Sequence, residues 1–404
     1  MPSRVKLLIV TLTVLLVAAL LVAQVAGRAS NPEDTYRHLA IFVEVMSRIK
    51  GEYVEEPDMK NVTLGALNGL LESIDPYASY LNADQYKQYL KNKDQKRADI
   101  GLVLSRRFGY ISIVDAIPGS PADKVGLGTG DILETIGGIG TKDMPLAYAE
   151  ILLQGDAGSE VEVSVLRVRK PEPQKLTLAR AMVKYPAVTA KVLADGVGHI
   201  RIRSFEPGKA KEIAAAIKDL EKQGAKRLVL DLRNSAAGAT EEGIAAANLF
   251  LDKGVITTRK GQRVRTDVFN AEPEKAVWKG PVVVITNRGT AAGAELVAAA
   301  LLDNKRAEVV GERTYGDAAQ RKAITMEDGS AVILAIAKYY SPKDKAIQDH
   351  PVAPTHAVAE QEAPVVDDDD APAPAQPQPQ AEKKPEADVL LKKAVEVLGV
   401  KSGA

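Results

Sequence analysis

A chain of 404 residues with 46% apolar content is long enough for two or three cored domains. Its 53 Lys and Arg balance its 53 Asp and Glu, so no net field draws it to nucleic acid or to an anionic surface. It has no cysteine, which excludes disulfides, thiolate metal sites and cysteine nucleophiles.

At the start of the chain, Arg4 and Lys6 precede an uncharged run from Leu7 to Ala26. At about 1.5 Å per residue this run would extend about 30 Å, roughly the hydrocarbon thickness of a bilayer. A cleavable signal has a shorter apolar core and a small-x-small end, and the residues after Ala23 (QVAGRAS) fit that poorly. Residues 1–30 are therefore read as a retained, single-pass signal anchor in the cytoplasmic membrane, with the body in the periplasm or extracytoplasmic space. The alternative is a body secreted after signal cleavage.

Residues 31–95 read as a helical arm. Leu39, Phe42, Val43, Val45, Met46 and Ile49 recur at helical spacing, and so do Leu64, Leu67, Leu70 and Leu71. Asp75-Pro76 marks a turn, with Tyr77 and Tyr80 as packing aromatics. Residues 96–183 change to short strands punctuated by Gly and Pro, with a helix expected near Pro145–Leu153.

Residues 184–355 alternate strands and helices. His199–Phe205 reads as a strand, and Lys211–Gln223 as a helix with Ile213, Ile217 and Leu220 on one face. Lys226–Arg233 is a buried-type strand that runs into Asn234-Ser235-Ala236-Ala237-Gly238. Arg259, Lys260, Arg263 and Arg265 read as the exposed face of a hairpin. Pro281–Asn287 is an apolar, β-branched run of the kind buried in a parallel sheet. Gly289 breaks it, and Thr290 is placed to cap the helix that follows. A second strand, Ala307–Glu312, leads to a turn at Gly316, and Ala331–Tyr340 is a further strand. Beyond it, 356–386 holds four aspartates and APAPAQPQPQ, the composition of a disordered spacer. Residues 387–400 close with a short amphipathic helix. The fold class is α/β in an α+β multidomain arrangement.

Two stretches carry a resemblance. DIGLVLSRRFGYISIVDAIPGSPADKVGLGTGDILETIGGIG, with Ile100-Gly101-Leu102, Pro118-Gly119-Ser120-Pro121-Ala122 and Gly130-Asp131-Ile132-Leu133, resembles a PDZ domain. That implies a peptide C-terminus added as a strand beside Leu102, Val103 and Leu104, its carboxylate held by the turn at Ile100 and Gly101. Asp99 sets a negative charge beside that turn. GTAAGAE (289–295), GERTYG (311–316) and IDPYASYL (74–81), with SPKDKAIQ near the end, resemble the C-terminal processing (tail-specific) serine proteases over residues 33–355.

The resemblance places the family's nucleophile on Ala292, its lysine base on Asp317 and its orienting glutamine on Arg321, with Gln320 one residue early. A methyl group has no oxygen to attack a carbonyl, and a carboxylate cannot supply a neutral amine. The oxyanion amides fall on Gly238 and Gly293, although Ala236 and Ala237 replace the family's Pro and first Gly. Thr290 and Ser235 are the nearby hydroxyls. The four histidines make no metal spacing, and no phosphate loop, dinucleotide fingerprint or other cofactor motif is present.

The expectation is a pseudoprotease: a membrane-tethered binder of protein or peptide C-termini that scaffolds or regulates a partner protease or an envelope protein, without nucleic acid. The alternative is an active serine-type endopeptidase with a displaced nucleophile.

Overall fold

The computed structural model describes residues 32–93, 95, 97–167, 170–359 and 388–399. Leu7–Ala26 and most of the acidic, proline-rich spacer lie outside them. No described helix is long and apolar enough to cross a membrane.

Among the described residues, 32–66 form a unit apart from 67 onward. In this first unit Leu39, Phe42, Val43 and Val45, which recur at helical spacing, lie exposed on the helix Pro32–Glu52.

The remainder is built around a six-stranded sheet. Thr189–Val192 runs antiparallel to Val197–Arg201 at one edge. Arg227–Asp231, Val282–Thr286, Glu308–Gly311 and His356–Ala357 then follow in parallel. The central strands carry unbroken apolar runs, Leu228–Leu230 and Val282–Ile285, because both faces of the sheet are covered there. Leu228, Leu230, Val282 and Val284 meet the helices Lys209–Lys222 and Gly293–Asp303 on one face. Val229, Val283, Ile285 and Val310 meet the closing helix Val389–Val397, through Leu390 and Ala394, on the other. Each fully buried Val, Leu or Ile contributes about 1.5–3 kcal/mol, so this closing helix adds to the cohesion of the sheet. Asp388 caps it, accepting from Leu391 N at 2.9 Å, and pairs with Arg233 at 2.7 Å.

A second sheet joins Ser79–Leu81, Ala331–Tyr340, Val255–Lys260 and Asp267–Asn270, with Ala319–Thr325 beside Ala331–Tyr340. The hairpin expected around Arg259 is present, and Arg259 and Lys260 are paired with Asp267 and Asp344.

The third sheet orders Leu102–Arg107, Tyr110–Ala116, Ile132–Ile136, Glu160–Arg167 and Lys170–Ala179. Its inward residues Ile111, Ile113, Leu133, Ile136, Val163 and Val165 are almost wholly buried, together with Leu146, Ala149 and Leu153 of the helix Leu146–Leu153. Leu102–Arg107 lies at the edge of this sheet.

Candidate active site

Three loops leave the carboxyl ends of adjacent parallel strands and meet at one cleft, where ligands of open α/β sheets bind. The cleft encloses about 340 Å³ and is lined by Gly238, Thr240, Ala292, Asp317, Gln320 and Arg321, among others. Five residues that the sequence singled out thus come together: Ala292, Asp317, Arg321, Gln320 and Gly238.

Ala292 sits between strand and helix at φ 50° and ψ −120°. This is ground that a side chain rarely occupies, and it costs about 1–3 kcal/mol. A sharp strained turn of this kind is how a strand–helix junction pushes a nucleophile forward. Here it presents a methyl. Thr290 does not cap the helix. Helical geometry begins at Gly293, with Ala292 in the cap position. The Thr290 hydroxyl is fully buried; it donates to Leu232 O at 2.9 Å and accepts from Asn287 N at 3.0 Å. It ties loops together and faces no cleft.

The strain at Ala292 persists because its surroundings fix it from two sides. Ala291 N donates to Ser235 O at 3.0 Å, and the Asn287 and Asn234 side chains bond to each other, so the Asn234–Gly238 turn is fastened to the Ala292 loop. The second anchor is Glu295, which is completely buried. Its Oε1 accepts from Thr314 Oγ1 and from Gly316 N at 2.8 Å; its Oε2 accepts from Asp317 N at 2.8 Å and Ala292 N at 3.2 Å. Burial pushes this carboxyl up to about 7, against the pull of the Thr314 hydroxyl and the backbone amides. One carboxyl thus joins GTAAGAE to GERTYG. Sequence reasoning missed this role, because an acid in the first turn of a helix looks like a surface residue favoured by the helix dipole.

Asp317 and Arg321 form an ion pair at 2.6 Å, with about a quarter of each side chain exposed. The Arg321 guanidinium also lies over the Tyr77 ring, 4.1 Å from its centre. Burial works against the Arg321 charge, but Asp317, with Asp75 and Tyr77 behind it, outweighs burial and raises the guanidinium above its ordinary value. Tyr77 is pushed far up by burial and then by Asp317. The strand register shifts between Gln320 and Arg321, where Ile336 of the facing strand is the extra residue, and both Gln320 and Arg321 line the cleft.

Gly238 stands at φ 113°, and a Cβ there would fall 2.2 Å from the Phe205 carbonyl carbon. Ala237 and Gly238 pair with Ser204 and Phe205, and Ala239 N donates to Phe205 O at 2.8 Å, which fixes the turn although Ala236 and Ala237 occupy it. Gly293 heads its helix, where first-turn amides have no helical partner.

Ser235 is fully buried and does not line the cleft. Thr240, two residues beyond Gly238, does. Its Oγ1 lies 3.1 Å from Tyr339 Oη and 3.2 Å from Glu241 Oε2. The signal that could have found it was its closeness in sequence to the oxyanion turn.

The edge strand that begins at Leu102 packs directly behind this cleft. Val103 and Val114 touch Ala236 and Ala291. Ser105 bonds to Tyr315, two residues before Asp317. Leu104 is buried in the core of its own sheet, whereas Leu102 remains partly open.

A parallel sheet with a strained strand–helix elbow, a facing glycine turn and a small six-stranded antiparallel module defines the scaffold of a serine-type peptidase. Comparison with known proteins agrees. Residues 196–358 match the model of peptidase family S41, and residues 112–167 match a PDZ domain. The carboxy-terminal-processing protease of Bartonella bacilliformis is 30% identical over 357 residues, covering 87% of this chain and 82% of that protein. The carboxy-terminal processing protease CtpA of Bacillus subtilis is 31% identical over 367 residues, covering 88% and 77%. Among solved structures, the photosystem II D1 C-terminal processing protease matches with a TM-score of 0.65 at 26% identity, covering 79% of this chain and 92% of that one. The chain belongs to the carboxy-terminal processing protease family.

Proposed function

We propose that this protein is a catalytically inactive member of its family that holds the tails of other proteins and acts as a scaffold or regulator. The observation that carries this reading is Ala292: the strained elbow is intact, and it displays a methyl toward a cleft in which an Asp317–Arg321 ion pair stands in the positions of base and orienting amide. Neither charged group in that pair is a neutral amine that could take a proton. The PDZ module supports binding of polypeptide ends, with a partner protease or an envelope protein as the expected client. The apolar run Leu7–Ala26 supports a membrane anchor with the body outside the cytoplasm; carbonate extraction of membranes, with the chain recovered in the soluble fraction, would refute the anchor.

Thr240 favours a second reading, residual peptidase activity from a displaced hydroxyl. Against it, Glu241 is an exposed carboxylate, a weak base for an alcohol. Fluorophosphonate labelling and turnover of an unstructured polypeptide decide between them. The pseudoprotease predicts neither. Labelling or turnover that disappears in Thr240→Ala establishes the second reading instead.

A further inference from the structure

The turn before Leu102 is the place where a PDZ module offers backbone amides to an incoming chain end. Ile117 N donates to Gly101 O at 2.9 Å, so in the alternating ladder the Leu102 amide points to the open edge of the sheet. The neighbouring amide is not open. Gly101 N donates to Asp99 Oδ1 at 2.7 Å. Asp99 is itself fixed, since its backbone exchanges both hydrogen bonds with Ala181, at 3.1 and 2.9 Å. The turn is equally fixed: Ala122 N donates to Ile100 O at 2.9 Å, and a Cβ on Gly101, at φ 81°, would strike Ser120 at 2.2 Å. A carboxylate from the chain's own backbone neighbour therefore already sits on an amide that a guest carboxylate would need; the turn cannot step aside without breaking other bonds, and the carboxylate, anchored beside it by its own backbone, stays near the guest even if it gives up the Gly101 amide.

From this geometry we infer that Asp99 makes the PDZ groove select against a free α-carboxylate, so that the groove takes an extended stretch upstream of a client's terminus, with a neutral group at the Gly101–Leu102 turn. The inference rests on the tail-binding reading and deepens it by naming what part of the tail is held. The edge at Leu102 and Val103, the partly open start of this strand, still supplies strand pairing, which is independent of a terminal charge. Two carboxylates within about 4–5 Å repel appreciably even at the effective dielectric of a protein surface. Partial exposure discounts this to a discrimination of about tenfold to a hundredfold.

The test uses the full chain and pairs of fluorescent peptides of one apolar-ended sequence, each made as the free acid and as the C-terminal amide. Binding is measured by anisotropy at pH 7.5 in low and high salt. The amide is expected to bind about tenfold tighter or better at low salt. Raising the salt should narrow the gap by screening. Asp99→Asn, which keeps an oxygen on the Gly101 amide and removes the charge, should bring the two peptides within about threefold of each other, while Leu102→Arg should abolish both. Free acid bound as tightly as amide by the natural chain, with both lost in Leu102→Arg, overturns the role of Asp99 and leaves tail binding standing. Failure of both peptides to bind natural chain and Asp99→Asn alike, with unchanged melting, overturns tail binding and this inference together.

Discussion

Replacing Glu295 by Gln tests whether one buried carboxyl holds the cleft together. At pH 8, above the value of about 7 to which burial lifts it, Glu295 is ionised and accepts from four donors: the Thr314 hydroxyl and the amides of Gly316, Asp317 and Ala292. Gln keeps the shape and turns one oxygen into a donor. Whichever way the new amide points, two donors lose their acceptor. Pointing it at Thr314 and Gly316 is the milder choice, because the Thr314 oxygen already accepts from Val352 N at 2.9 Å and can accept again. The Gly316 amide and the Thr314 proton are then stranded. A buried unsatisfied donor costs about 1–3 kcal/mol. Loss of the buried charge returns part of that, so a net loss of about 3 kcal/mol is expected from urea unfolding at pH 8. The change should also be local: hydrogen exchange at Gly316 and Asp317 should speed up, with the Leu133 and Val163 strands unaffected. A Gln variant within about 0.5 kcal/mol of the natural chain, with unchanged exchange at Gly316 and Asp317, would refute the argument.

Four further outcomes are expected. Ala292→Gly removes the strain at φ 50° and, after allowance for the greater chain entropy of glycine, should stabilise by about 1 kcal/mol; a lower melting temperature would contradict it. Gly238→Ala must push against the Phe205 backbone and should cost about 2–4 kcal/mol in urea unfolding. Asp115 is buried, with Arg203 at 3.4 Å, and burial raises its carboxyl from 3.8 to about 7 despite that partner. The folded state therefore keeps this proton where the unfolded chain has lost it. The stability is full below about pH 4 and drains away as pH rises through 7, so Asp115→Asn should gain about 2–4 kcal/mol on the natural chain between pH 4 and pH 8; a gap that does not move with pH would sink the assignment. Ala292→Ser with Asp317→Lys and Arg321→Gln should turn over an unstructured substrate barely above background, because Ala236 and Ala237 still shape the oxyanion turn; brisk turnover would show that this turn is competent as it stands.

The central strands were legible because burial on both faces forces an unbroken apolar run, as in Val282–Ile285, where alternate side chains serve two different cores. The cleft's backbone was legible from glycine and motif spacing, since Gly238 tolerates no Cβ and the helix must begin beside it. What stayed hidden depends on contacts between distant segments. Glu295 looks the same in sequence whether it faces water or four donors. Thr290 looks like a helix cap until the elbow shifts the helix start to Gly293. The register shift beside Gln320 and Arg321 comes from a bulge at Ile336 of the facing strand, which inserts a residue without leaving a compositional mark. Leu39 and Phe42 repeat with helical spacing and are exposed all the same, since periodicity reports which residues share a face and says nothing of what covers it.

The energetics of the cleft also bear on how its architecture is held in place. A strained residue survives only where its surroundings over-determine it, and at Ala292 those surroundings are the buried Glu295 carboxyl and the loop-to-loop bonds of Asn234, Asn287 and Ser235. None of these groups needs a nucleophile to stay satisfied. Exchanging a serine for alanine leaves their hydrogen bonds complete. An aspartate at position 317 needs a cation to answer it, because an unpaired charge at this depth would be costly. Arg321 is that cation, with Tyr77 beneath it. The two side chains therefore act as one unit in physical terms, and removing either alone is expected to loosen the segment that carries them: Asp317→Ala should mobilise Arg321 and lower stability more than the double change Asp317→Ala with Arg321→Gln.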